Sequence, residues 1–147
     1  AEFRALFIHE SGHNIDLGCL QGTSQSGRSG FVDGTDTVWE NDPSTAFYRI
    51  SWATSSSQRS DANKEDFVSG YAASDPFEDF AETFAYFVLQ NDAFRTRAAE
   101  NLAPAKKYVW MRDTLFGGTV PSIADGQSDW TGKVPWDVTK LAYDWKN

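Results

Sequence analysis

The sequence predicts a mainly α fold with little strand, and three stretches carry that expectation. Phe77, Phe80, Ala81, Phe84 and Val88 recur at helical spacing behind an Asp75-Pro76 pair. A second stretch is framed by Pro104 at its start and Gly117-Gly118 just past its end. The opening residues already read as the body of a helix. With 147 residues the chain fits a single domain spanning 1–147. Its 11 Phe, 6 Trp and 5 Tyr provide enough apolar surface for a core, which excludes global disorder.

Taken in order, the first helix is expected from Glu2 to Asp16, with Phe3, Leu6 and Phe7 on its apolar face and Gly18 as its stop. Residues 20–63 are rich in Gly, Ser, Thr, Asp and Asn and read as a long irregular region. Within it, residues 46–53 are apolar enough for a strand or a short helix, and residues 55–63 form a polar loop. Long loops in compact domains are usually functional or mobile.

The next helix is the best defined. Asp75 is its N-cap and Pro76 its first residue. Glu78, Asp79 and Glu82 crowd the first turns, where acids favour the positive end of the helix dipole. Further helices are expected over residues 93–102 and from Pro104 to Gly117. The tail from Val120 carries Trp130, Trp136 and Trp145. It is expected to wrap the core, with a last short helix at residues 138–145.

The net charge of −8 and pI of about 4.6 argue against a nucleic-acid partner, because such a chain repels phosphate backbones. No polybasic segment suits anionic lipid, and no apolar run approaches the ~20 residues that cross a bilayer, so no membrane partner is expected. Cys19 is the only cysteine, so no internal disulfide can form. The acidic, low-Lys composition, rich in Ser, Thr, Gly and Trp, suits a secreted enzyme.

Residues 9–13 read HESGH. On a helix, positions i and i+4 share one face, so His9 and His13 can converge on one Zn²⁺. Glu10 lies to the side of that face, where a general base reaches a zinc-bound water without ligating the metal. Both histidines of the chain fall inside the motif, and a satisfied core histidine needs no partner at i+4.

A catalytic zinc usually has three protein ligands. Cys19 is a weak candidate for the third and reads better as a buried small apolar filler. Asp36, within a Gly34-Thr35-Asp36 run, is explained equally well by a turn. Glu78 is the strongest candidate. Glu78 and Glu82 lie one turn apart beside the buried Phe77/Phe80/Phe84 stripe, and two carboxylates at the edge of a buried face call for a cation. The alternative is a capping box, in which Glu78 merely satisfies the Asp75 N–H.

HESGHNID at residues 9–16 and YAASDPFEDFAETFAYFV at residues 71–88 together resemble the gluzincin metallopeptidases, in particular those similar to the catalytic domain of anthrax lethal factor. The resemblance covers roughly residues 2–90. It implies a zincin-like catalytic domain with one catalytic Zn²⁺ held by His9, His13 and Glu78. It makes Glu10 the general base, Tyr71 the donor to the oxyanion, and Glu82 and Asp16 outer partners of the ligands. Asp79 departs from the pattern, standing where the group has an aromatic residue.

Such enzymes align substrate on an edge strand that precedes the HExxH helix, and only eight residues precede His9. That sheet is expected upstream of this chain, making the whole α+β, or replaced by residues 46–53, or else the subsites are built in another way. The expected function is zinc-dependent endopeptidase activity on peptide or protein substrates. The rival is a non-catalytic zinc-containing module that recognises protein or carbohydrate through its tryptophans.

Overall fold

A computed structural model describes residues 2–121. Helix α1 spans Glu2–His13 and runs on into a wider π-helical segment, Asn14–Cys19. Strands β1 (Arg28–Asp33) and β2 (Asp36–Trp39) form an antiparallel hairpin, with Asp33 opposite Asp36. Gly34 takes the left-handed backbone of its turn, φ 55°. The short helix α2 (Ser44–Tyr48) precedes a second hairpin of β3 (Trp52–Thr54) and β4 (Ser57–Gln58). Helices α3 (Pro76–Leu89), α4 (Asn91–Glu100) and α5 (Leu102–Trp110) follow, and α5 passes into a π-helical segment, Met111–Leu115. The chain is thus mainly α. Its strands, among the described residues, form two separate two-stranded hairpins.

Several boundaries differ from the sequence expectation. The first helix does not stop at Gly18, because the π-helical segment carries the turn through it. Residues 46–53 hold the end of a short helix and the start of a strand, and the polar loop at 55–63 includes β4. The hairpin β1–β2 lies in the stretch expected to be irregular. Pro104 sits inside the first turn of α5 rather than at its first residue, which costs nothing because those N–H groups have no intrahelical partner. Gly117 and Gly118 end the last helical segment with positive φ, as the sequence suggested. Trp130, Trp136, Trp145 and the helix expected at 138–145 lie outside the described residues.

The inward face of α1 also differs. Leu6 and Phe7 are exposed at 42% and 63%, while Ala5, His9, Gly12 and Asp16 are buried. The helix therefore turns its polar motif inward and leaves part of its apolar face outside. Close approach explains this. A Cβ built on Gly12 would stand 2.9 Å from the Cα of Ala81 and 3.3 Å from Phe84 Cδ1. Two helix backbones can meet so closely only where one residue lacks a side chain.

Helix α3 is the axis of the core. Its N-cap forms as expected, with the Asp75 carboxylate accepting from the Phe77 and Glu78 N–H groups at 2.9 Å each. Phe77, Phe80, Phe84 and Phe87 are buried, and Phe80 meets Phe47 edge to face at 5.2 Å. Because almost every face of α3 is covered, its polar residues need internal partners.

Asp79 is fully buried against Lys107 of α5, with Nζ donating to both carboxylate oxygens at 2.8 and 2.7 Å. Trp52 Nε1 donates to the same carboxylate at 3.0 Å, and Lys107 Nζ also reaches the Asp66 carbonyl at 2.8 Å. This residue, which broke the sequence pattern, ties β3, α3 and α5 together. Removing one partner would leave a buried charge alone, at a cost of about 3–5 kcal/mol.

Two outcomes follow for stability. Lys107→Met should destabilise the chain by that amount in denaturant melts, with partial recovery when Asp79→Asn is added; an unchanged midpoint for the single variant would contradict the pairing. Gly12→Ala should cost about 1–3 kcal/mol through overpacking, despite alanine's better helix propensity. Stability equal to the parent would mean that α1 and α3 do not meet as described.

Candidate metal centre

The face that α1 presents to α3 carries His9 and, one turn on, His13. Their ring centroids are 4.9 Å apart and nearly perpendicular. The two Nε2 atoms lie 3.2 Å from each other. From α3, Glu78 Oε2 comes within 3.2 Å of His9 Nε2 and 3.3 Å of His13 Nε2. Three potential ligand atoms thus form a nearly equilateral triangle.

The other ends of these side chains are held. His9 Nδ1 lies 2.8 Å from Glu82 Oε1, one turn along α3. Beside a carboxylate, Nδ1 carries the proton, and that leaves Nε2 to the triangle. Ser69 Oγ donates to the second Glu82 oxygen at 2.7 Å and accepts from the Ala72 N–H at 3.0 Å. The Tyr71 phenol donates to Glu78 Oε1 at 2.6 Å, and its ring stacks on His9 at 5.9 Å between centroids. Sequence reasoning assigned Tyr71 and Glu82 to this neighbourhood but missed Ser69. Its only local signal was a serine placed to cap a turn just before Tyr71. The capping box is half formed: Asp75 caps α3, while the Glu78 carboxylate turns to Tyr71 and the histidines.

The residues fit a divalent ion. Two ligands each 2.0–2.1 Å from a tetrahedral Zn²⁺ are about 3.3–3.4 Å apart, close to all three sides of the triangle. Glu78 Oε2 is buried and has no hydrogen-bond partner, although its twin oxygen does. A buried acceptor left open between two imidazole nitrogens lacks a cation or a proton. Among the described residues, His9, His13 and Glu78 are the groups whose ligand atoms lie within 4.8 Å of one another.

A sequence model of the family described as "Putative zinc-binding metallo-peptidase" matches residues 4–141. The chain belongs to that family. Comparison with curated proteins and with solved structures gave no match. A zinc-binding peptidase needs converging ligands, and the cluster just described is a group of that kind.

The remaining candidates are placed as follows. Glu10 is exposed on the turn between the two histidines. Asp16 is buried and accepts from the Tyr48 phenol at 2.7 Å. Cys19 is exposed, so it is no buried apolar filler; the π-helical segment turns it outward. Asp36 is exposed on β2, and neither it nor Cys19 joins the ligand cluster.

Electrostatics at the centre show what an ion would replace. Burial works against charge on His9, but the Glu78 and Glu82 carboxylates outweigh it and hold the imidazole up at about 9. Burial likewise opposes charge on Glu78, yet the His13 and His9 imidazoles beside it and the hydrogen bond from Tyr71 bring it down to about 2. Burial and the Glu78 carboxylate raise Tyr71 above its ordinary value, so it stays a phenol.

For chelator-treated protein the signs are definite. The raised His9 contributes stability below its ordinary 6.5, and this is lost as pH rises through about 9. The lowered Glu78 contributes above its ordinary 4.5, and this is lost as pH falls through about 2. At pH 7 His9 is therefore protonated, and zinc must displace that proton. Calorimetry in buffers of different ionisation enthalpy should show about one proton released per zinc bound, with affinity rising about tenfold per pH unit between pH 7 and 9. Zinc uptake at pH 7 with no proton release would contradict the coupling of His9 to the two glutamates.

Proposed function

We propose that this chain is a zinc-dependent endopeptidase of the gluzincin type, a single zincin-like catalytic domain with one catalytic ion held by His9, His13 and Glu78. The triangle of two Nε2 atoms and one unpartnered carboxylate oxygen, with sides of 3.2–3.3 Å, carries this reading. A third ligand drawn from a second helix, four residues before a glutamate that orients a histidine, supports the gluzincin assignment. The spacing of Tyr71 seven residues before Glu78 supports the finer likeness to the anthrax lethal factor catalytic domain.

Bound zinc would supply Lewis acidity and lower the pKa of a water to near 7. The chain's own residues supply the rest. Glu10, exposed beside His9, takes the proton of the attacking water and returns it to the leaving amine. Tyr71, kept a phenol, exchanges the Glu78 oxygen for the oxygen of the scissile carbonyl as charge develops there. Glu82, anchored by Ser69, keeps His9 in the tautomer that leaves Nε2 for the metal. The substrate is a peptide or protein, and the acidic composition supports a secreted setting.

Glu10→Gln should keep full zinc content and abolish cleavage of an unstructured protein such as casein. Tyr71→Phe should keep zinc and lose about 10²–10³-fold in kcat. Glu78→Gln should lower zinc affinity at least about tenfold, since even outer partners of such sites are worth that much. Undiminished cleavage by the Glu10 variant would refute the general-base role. Unchanged zinc affinity in the Glu78 variant would refute its place as a ligand.

A further inference from the structure

Ser69 lies outside every helix and strand, in the turns that lead into α3, yet its hydroxyl reaches Glu82 thirteen residues further on. That hydroxyl is used twice. It donates to Glu82 Oε2 at 2.7 Å and accepts from the Ala72 N–H at 3.0 Å. A backbone N–H can only donate, which leaves the single proton of the serine for Glu82.

The first bond leads to His9. Glu82 is fully buried, and its other oxygen lies 2.8 Å from His9 Nδ1. Without the serine, one oxygen of a buried carboxylate has nothing to accept from, a costly state that turning the carboxylate would relieve. His9 would then lose the fixed acceptor that sets its ring. Hydrogen bonds linked in this way also polarise and strengthen one another.

The second bond closes the turn that carries Tyr71. Ala72 is fully buried, so its N–H needs an internal acceptor. Beyond it, the Gly70 carbonyl accepts from the Ala73 N–H at 3.3 Å, and the Tyr71 carbonyl from the Ser74 N–H at 2.9 Å. Gln58 Nε2 on β4 donates to the Ala73 carbonyl at 2.9 Å. Packing does little at Gly70, where an added Cβ would meet nothing within 4 Å among the described residues. Hydrogen bonds therefore hold the turn, and from it the Tyr71 phenol reaches Glu78 Oε1 at 2.6 Å.

We propose that Ser69 is a positioning residue for both halves of the centre: through Glu82 it sets how His9 would face an ion, and through the turn it sets where the Tyr71 phenol stands. The inference rests on the peptidase reading above. Closing a turn is a common use of serine and needs only the bond to Ala72. The bond to Glu82 runs from the loop to the middle of α3 and adds nothing to the turn; what it steadies is the acceptor of a histidine. One hydroxyl thus ties a candidate ligand on α1 to an oxyanion donor in the loop.

The test measures zinc affinity and steady-state kinetics on the full chain carrying Ser69→Ala. Zinc affinity, read by competition with a chromophoric chelator, should fall about tenfold, as expected for an outer partner of a metal site. At saturating zinc, kcat on casein should fall about tenfold with KM unchanged, because the phenol acts on charge that develops only in the transition state. Ser69→Thr, which keeps the hydroxyl, should match the parent in both measures. Ser69→Val, equal to threonine in size but without the hydroxyl, should match alanine. This pair decides the matter if the alanine variant folds poorly. In a Glu82→Ala background the zinc loss should vanish, because no carboxylate is left to hold, whereas a serine that only closes a turn would cost the same in either background.

Parent-like zinc affinity or parent-like kcat in Ser69→Ala would overturn the proposal. So would a zinc loss that persists without Glu82, or a threonine variant no better than valine. The peptidase reading fails separately. If the parent chain cleaves nothing while the zinc loss appears only with Glu82 present, the role toward His9 stands and the activity falls. If the parent cleaves casein and Ser69→Ala equals it in both measures, the activity stands and Ser69 merely closes a turn.

Discussion

Everything at the candidate centre depends on how closely α1 can lie against α3. The two helices meet at Gly12 and Ala81, where a single added methyl would stand 2.9 Å from a backbone carbon. That contact brings a carboxylate oxygen from residue 78 to within 3.3 Å of two imidazoles on the other helix. An approach wider by one methyl group would open the triangle beyond what one small ion can bridge. It also explains why α1 buries a glycine and a histidine, and its π-helical extension an aspartate, while Leu6 and Phe7 stay in water. The inward stripe is chosen by what must be close rather than by what is apolar.

The second half of the arrangement is the rigidity of α3. A helix covered on nearly every side cannot slide or rotate without breaking buried polar contacts. Asp79 is locked to Lys107 and Trp52 on one side, and Glu82 to His9 and Ser69 on another. Asp75 fixes where the helix begins. Together these contacts set both the position and the rotation of Glu78. The interactions that hold the fold and those that shape the site are thus partly the same, through neighbours on one helix turn.

Much of this was legible in the residues. The N-cap, the start of α3 and its aromatic stripe are local chemistry, written in consecutive positions, and they appear where the sequence placed them. The pairing of His9 with His13 is likewise local, fixed by helical period. Glu78 was legible from its place in the first turn of α3, and Tyr71 only through the family resemblance, seven residues before it. Ser69, Lys107 and the hairpin β1–β2 were not. A lysine paired to an aspartate 28 residues away leaves no mark in its own neighbourhood, and a serine that steadies a glutamate looks like any turn serine. Cys19 was misjudged because its burial depended on how α1 ends, and a π-helical segment turns a side chain away from where an α-helix would place it.

The sequence by itself determined the helical class, the two helices that carry the candidate ligands and the kind of atoms they offer, because all of these follow from spacing along one chain. Tertiary structure decided where the Glu78 carboxylate turns, which face of α1 points inward and which partners the buried polar groups find. Those outcomes depend on distances between segments far apart in sequence. Such distances are set by close packing, in which one missing Cβ or one buried ion pair outweighs local preference.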